Sequence, residues 1–391
     1  MGLKRAICLL KSFILQFYIF KSARYKFLRS RKGADMFVIT GGGSGGHLAI
    51  AKALAEQLYK INQPAIYIGS HIGQDRAWFE GSELFKKCYF LDSTGVVNKR
   101  GLGKFKALFK QFKAALFARQ ILKQHKAQCV ISVGGFSAGG ASIGALLCGV
   151  PLFIHEQNAI KGKLNEILSP FAKAIFGSFD TGSKHFIRTS YPVRDVFFAH
   201  ARVREHIRYV LFLGGSQGAK GINDFALKIA KELLQRGISI AHQCGERDFR
   251  RVKEAYKNLG ILEQVDVFAF DKNLVQRIER ADICIARAGA SSLWEMSANG
   301  LIGVLVPYPY AAKDHQYYNA LAFANEGLGL VMRESALNVP AVLDFFDFLE
   351  KVEGNQTHLA QKSRLVMSKI QPNGAREIIE AINALLQKSQ D

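Results

Sequence analysis

The chain has 391 residues, 53 Lys and Arg against 32 Asp and Glu, a formal net charge of +21, 49% hydrophobic residues and 36 Gly. Apolar content of that order over this length suggests two domains and excludes a disordered or fibrous protein. The six cysteines lie far apart with no CxxC pair, which reads as reduced, buried thiols of a cytosolic protein and not as a disulfide framework.

Residues 1–35 carry nine basic side chains and one acid, Asp35. The apolar stretch 6–20 is interrupted by Lys11 and falls short of the roughly 20 apolar residues that a spanning helix needs. Basic residues follow it where a secretory signal would place small ones. Two readings stay open: a basic, aromatic segment on an anionic membrane surface, or a start-site artefact, with translation beginning at Met36.

From Met36 onward, short aliphatic runs alternate with glycine-rich breaks and helical stretches. Strands are expected over 37–40, 65–69, 129–133, 151–155, 209–214, 239–243, 281–286 and 303–307, and helices over 50–60, 105–125, 224–236 and 315–327. The strand runs do not alternate, which marks strands buried on both faces of a parallel sheet. Strand–glycines–helix occurs at 37–58 and again at 209–234, so the series restarts, and the fold class is α/β with two Rossmann-like domains facing across a cleft. The expected boundaries are an extension over 1–35, a first domain over 36–194, a linker over 195–208, a second domain over 209–370, and a C-terminal helix over 371–391 packing back on the first domain.

Three glycine-rich turns follow strands: Gly41-Gly42-Gly43-Ser44-Gly45-Gly46-His47, Gly134-Gly135-Phe136-Ser137-Ala138-Gly139-Gly140, and Gly214-Gly215-Ser216-Gln217-Gly218. The first satisfies GxGxxG, yet strand two ends Ile68-Gly69-Ser70-His71 without the acid that a dinucleotide ribose requires. What remains is glycine letting backbone approach a ligand, with helix-start N–H groups favouring an anion, so the three turns together point to a phosphate-bearing ligand. His47 is expected at the tip of its loop; the competing reading is a surface histidine capping its own helix. After the 281–286 run, Arg287-Ala288-Gly289-Ala290-Ser291-Ser292-Leu293-Trp294-Glu295 places two helix-start serines where N–H groups face a diphosphate. Glu295 comes one turn later, where it could accept from ribose hydroxyls or merely complement the helix dipole. Gln316 opens the next helix with an amide suited to sugar hydroxyls. No DxD ends a strand and no His/Asp/Glu set has ligand spacing, so no metal and no cofactor are expected, and the leaving diphosphate would be stabilised electrostatically. The basic residues track apolar ones and no nucleic-acid motif is present, so nucleic acid is not an expected partner.

These motifs, with His155-Glu156-Gln157-Asn158, Tyr191-Pro192-Val193-Arg194 and 315–319, make the chain resemble the MurG family, the UDP-N-acetylglucosamine:undecaprenyl-diphospho-muramoyl-pentapeptide N-acetylglucosaminyltransferases, from about Met36 to the C-terminus. The resemblance implies a GT-B fold and an inverting transfer of GlcNAc from UDP-GlcNAc to the muramoyl 4-hydroxyl of lipid I, giving lipid II, at the cytoplasmic face of the bacterial inner membrane. It implies substrate contacts from Ser44, Gly45, Gly46, Asn158, Arg194, Ser216, Ala290, Ser291, Ser292, Leu293, Trp294, Glu295 and Gln316, with Asp271 near the uracil. The catalytic candidates are His47, as base or acceptor positioner, and Glu156, for which a structural acid bonding loop amides is the competing reading. Ser44 stands where the family more often has Thr, and Gly140 where it has Pro. Over 99–117, Phe105, Leu108, Phe109, Phe112 and Leu116 form one helical stripe flanked by Lys104, Lys106, Lys110 and Lys113. Either a core helix or an interfacial helix on an anionic membrane surface explains that pattern.

Overall fold

The computed structural model of the chain describes residues 36–95, 101–215, 218–271 and 273–388, with backbone alone at 101, 102 and 104. The expectations for residues 1–35, for Ser216 and for the Lys104 side chain lie outside what it describes. The chain divides into two compact units, one reaching Pro192 and including the segment from Asn373 onward, the other Val193–Pro372.

The first unit is built on a seven-stranded parallel sheet. Its strands are β1 (Met36–Thr40), β2 (Ala65–Ser70), β3 (Lys87–Leu91), β4 (Ala127–Ser132), β5 (Leu152–His155), β6 (Ala174–Gly177) and β7 (Phe186–Arg188), in the order β3-β2-β1-β4-β5-β6-β7. Every residue of β1, β2 and β5 is buried, as unalternated runs between two helix layers must be. The connecting helices are α1 (Gly45–Lys60), α2 (Asp75–Phe79), α3 (Gly101–Gln124), α4 (Ala138–Cys148) and α5 (Lys163–Leu168). α1 starts five residues before the expected position, because Ser44 occupies the N-cap and both following glycines are helical. His47 therefore lies in the first turn of α1 and not at a loop tip.

The second unit repeats the plan with β8 (Tyr209–Leu213), β9 (Ser239–Gln243), β10 (Val265–Phe268), β11 (Ile283–Ala286), β12 (Gly303–Leu305) and β13 (Gly329–Val331), ordered β10-β9-β8-β11-β12-β13. Its helices are α6 (Asp195–Ala199), α7 (Lys220–Gln235), α8 (Phe249–Asn258), α9 (Leu274–Arg280), α10 (Ala290–Asn299), α11 (His315–Ala324), α12 (Val339–Glu350) and α13 (His358–Ser368). The stretch 195–208, expected as a linker, is instead built into this unit. It carries α6, and Arg204 within it is fully buried, its guanidinium donating to the carbonyls of Ala281, Ile278, Arg202 and Asn299. The final helix, α14 (Gly374–Gln387), belongs to the first unit and packs on α1.

Candidate active site

In the first unit the two glycine turns serve each other. The Gly42 N–H donates to the Gly134 carbonyl at 3.1 Å. A Cβ at Gly41 would lie 2.5 Å from that same carbonyl oxygen, one at Gly135 would collide with the Gly42 carbonyl, and one at Gly43 with the Phe136 ring. Gly41, Gly43 and Gly135 also have positive φ, so each needs glycine twice over. The glycines of these two turns are thus required by close packing, backbone on backbone at Gly41 and Gly135 and backbone on the Phe136 ring at Gly43. Asp75 completes the brace. It accepts from the Gly43 N–H at 2.7 Å and the Ser70 N–H at 3.1 Å, with the Tyr67 hydroxyl donating to it at 3.0 Å. This is the acid that strand two lacks in sequence. It lies just beyond the strand and is turned inward, fully buried, so a ribose could not reach it.

That brace presents His47. Ser44 Oγ lies 2.8 Å from His47 Nδ1, and Gln157 Nε2 lies 2.8 Å from His47 Nε2. Tyr191, buried against His155 with ring centroids 5.6 Å apart, donates its hydroxyl to Gln157 Oε1 at 3.4 Å. Ser44 is the N-cap of α1 but its side chain does not cap the backbone. Gly45 and Gly46 are the first residues of the helix, and the half-exposed Trp78 flanks Gly45. Gln157 and Tyr191 escaped sequence reasoning, since neither a lone glutamine nor a lone tyrosine signals anything until the fold brings it to the imidazole.

Glu156 is 1% exposed. Its carboxylate accepts from the Asn158 N–H at 3.0 Å, the Gly162 N–H at 2.9 Å and Asn165 Nδ2 at 2.9 Å. Burial pushes its pKa up, and those donors pull it down. With its oxygens engaged by loop amides, Glu156 has the geometry of a structural acid that shapes the turn carrying Gln157 and Asn158. His155 behind it is fully buried, which drives its pKa down to about 3, with the neighbouring His47 imidazole lowering it further.

In the second unit the α10 N-terminus is the prominent feature. Gly289 is its N-cap, no side chain caps it, and a Cβ at Gly289 would meet only Ser292 Oγ, at 4.0 Å. A helix leaves its first N–H groups without intrahelical partners, which favours an anion there. Ala290, Ser291, Leu293 and Trp294 are buried, so what they offer a ligand is backbone. Ser292 is exposed and Glu295 half-buried. Burial raises the Glu295 carboxyl to about 7, Arg194 opposing that shift, and the carboxylate has no hydrogen-bond partner among the described residues. Gly215 adopts φ +78 with open space where a Cβ would stand, unlike Gly218, whose Cβ would lie 2.5 Å from the Cys244 carbonyl oxygen. Gln316 is the second residue of α11; its Oε1 accepts from the Tyr308 N–H at 2.9 Å, which leaves its NH2 group for a ligand. Arg194 stacks over Phe197 at 5.1 Å. Asp271 is less available than expected: it accepts from Arg277 Nε at 2.5 Å and from the Asn273 N–H at 2.8 Å, and Arg277 holds its pKa down. Among the described residues no group of three or more His, Cys, Asp or Glu could hold a metal ion.

Residues 37–177 match the glycosyltransferase family 28 N-terminal domain, and residues 209–384 its C-terminal domain. A UDP-N-acetylglucosamine–N-acetylmuramyl-(pentapeptide) pyrophosphoryl-undecaprenol N-acetylglucosamine transferase of Helicobacter hepaticus is 71% identical over 351 residues, 90% of this chain and 99% of that one. The protein of the same name from Wolinella succinogenes is 50% identical over 345 residues, 88% and 98% of the two chains. The crystal structure of Acinetobacter baumannii MurG superposes with a TM-score of 0.72 at 27% identity, covering 89% of this chain and 99% of that one.

Proposed function

The chain belongs to glycosyltransferase family 28, and within it to the MurG-type N-acetylglucosaminyltransferases of GT-B fold, and on that premise we propose how its residues divide the reaction between them. The enzyme transfers GlcNAc from UDP-GlcNAc to lipid I, making lipid II for peptidoglycan. The observation that carries the assignment of the donor half is the Glu295 carboxylate. It is desolvated, without a hydrogen-bond partner among the described residues, and one turn inside a helix N-terminus that no side chain caps. In this reading the first-turn N–H groups of α10, with Ser216, Ser291 and Ser292, hold the diphosphate, and Glu295 accepts from the ribose hydroxyls. The Gln316 NH2 group donates to the sugar, and Arg194 supplies positive charge.

His47 is the base. The acceptor O–H bond breaks as its proton passes to the imidazole, the oxygen forms its bond to the anomeric carbon, and the bond from that carbon to the diphosphate breaks. The electron pair leaves on UDP, whose charge the helix dipole stabilises. A single in-line displacement of this kind inverts the anomeric centre. Asn158 and the amides of Gly45 and Gly46 position the acceptor, and Glu156 shapes the turn that bears Asn158. Release of UDP, measured with and without a soluble lipid I analogue, tests the scheme. His47→Ala should lower acceptor-dependent release by at least about 100-fold, the lower end of general-base contributions. A loss under about tenfold would remove His47 from the chemistry.

The same reading places the enzyme on the cytoplasmic face of the inner membrane through α3. Its inner face is small and buried at Ala107, Ala114, Ala115 and Ala118, while Phe105 is 74% exposed and Phe109 58%, with Phe112 and Leu116 also exposed. A core helix would bury those phenylalanines. No helix among the described residues is long and apolar enough to cross a membrane, and an interfacial helix edged by lysines fits an anionic lipid surface.

A further inference from the structure

We propose that Gln157, held in turn by Tyr191, is the positioning residue that decides which ring nitrogen of His47 is basic and keeps that nitrogen latched until the acceptor arrives. The kinetic part of this inference rests on His47 being the base; the structural part does not.

A neutral imidazole carries one proton on two nitrogens, and its partners select the site. The Tyr191 hydroxyl donates to Gln157 Oε1, which turns the other end of the amide toward His47 Nε2 at 2.8 Å. An amide NH2 group can only donate, so Nε2 must present its lone pair. The proton then belongs to Nδ1, where Ser44 Oγ at 2.8 Å accepts it. The Gln157 contact selects the tautomer, Tyr191 fixes which end of the amide makes it, and the Ser44 hydroxyl, which can donate or accept, then accepts from Nδ1–H. Each support is anchored: Tyr191 is 1% exposed and Gln157 8% exposed, on the turn that Glu156 ties together.

The latch has two effects. Protonating Nε2 would set an N–H against the amide N–H, so the ring resists becoming imidazolium while Gln157 is in place. The acceptor hydroxyl can hand its proton to Nε2 only by taking the position of the amide, which couples acceptor binding to exposure of the base. The titratable groups around the ring are His155, buried and neutral; Glu156, engaged by its own loop; Asp75, beneath the Gly43 amide; and Tyr191.

The test uses the full chain labelled with 15N-histidine, the His47 ring signals being identified by their loss in His47→Asn and followed from about pH 5 to about pH 9. The wild-type ring should show the Nδ1–H tautomer. Gln157→Glu replaces a donor by a carboxylate that accepts, so the His47 pKa should rise by about one unit or more. The acid limb of the kcat/KM profile should move up with it. Tyr191→Phe keeps the ring packed on His155 but frees the amide, and should give a mixture of tautomers. If Gln157→Glu and Tyr191→Phe fold with unaltered thermal midpoints and leave both tautomer and titration unchanged, the latch is disproved. If the tautomer responds while the acid limb stays in place, the latch stands and His47 is not the base.

Discussion

At the scale of single residues, Glu295 and Glu156 differ because their surroundings differ: one carboxylate is bonded by loop amides and the other is not. Glu295 is a carboxyl raised to about 7 by burial, and ribose hydroxyls donating to it stabilise its charged form. Nucleotide binding should therefore strengthen as the pH rises through about 7 and release a proton below it. UDP affinity by calorimetry should be about tenfold weaker at pH 6 than at pH 8, since each pH unit below a pKa lowers the ionised fraction about tenfold. Glu295→Gln should weaken binding and abolish that dependence. Glu295 was legible in sequence because it follows a strand, a glycine and two serines in a fixed order. Glu156 was legible only as a residue of interest. That its oxygens face the Asn158 and Gly162 amides depends on how its turn folds back, a contact that no spacing rule expresses.

Among secondary-structure elements, helix α3 turns its exposed phenylalanines outward and its small residues toward α4. Gln111 on its inner face donates to the Thr94 and Phe136 carbonyls, tying the helix to the second turn. Close approach to α4 depends on small residues. A Cβ at Gly144 would lie 2.9 Å from the Ala115 carbonyl oxygen and 3.0 Å from the Ala118 Cβ, and one at Gly140 3.1 Å from the Ala114 Cβ. Gly144→Ala should destabilise the protein by about 1–3 kcal/mol through overpacking, read from chemical denaturation. Replacing Phe105, Phe109 and Phe112 together by Ser should leave the thermal midpoint unchanged, because these side chains are exposed, and should abolish sedimentation with phosphatidylglycerol vesicles. Retained vesicle binding would reject the membrane role of α3. Most central strands were readable as apolar runs, the four-residue β6 excepted. β3, with mixed exposure at the sheet edge, and the three-residue β7 and β13 were not, because an edge strand lacks a second buried face to impose a continuous run.

For the whole molecule, the first unit is closed by residues from both ends of the chain. Glu377 in α14 accepts from the Ser190 N–H at 2.8 Å, and a Cβ at Gly374 would lie 2.7 Å from the Tyr191 carbonyl oxygen. The last helix therefore backs the segment that supports Gln157 and, through it, His47. Ending the chain at Pro372 should lower the unfolding temperature of the first unit and raise hydrogen exchange in α1. It should also reduce acceptor-dependent turnover more than UDP affinity, since the donor residues named above lie in the other unit.

The linear order of residues was enough to establish the α/β alternation, the restart at β8, the family and the serine-led start of α10, because each is written in short-range periodicity or contiguous motif. What the glycines of the first two turns are for, which acid braces them, and what holds His47 were decided only by tertiary structure. Those properties depend on atoms 32, 110 and 34 positions apart in the chain, in the Gly43–Asp75, His47–Gln157 and Gln157–Tyr191 pairs. Hydrogen bonds at such separations exist only after the sheet has stacked its strand ends along one edge.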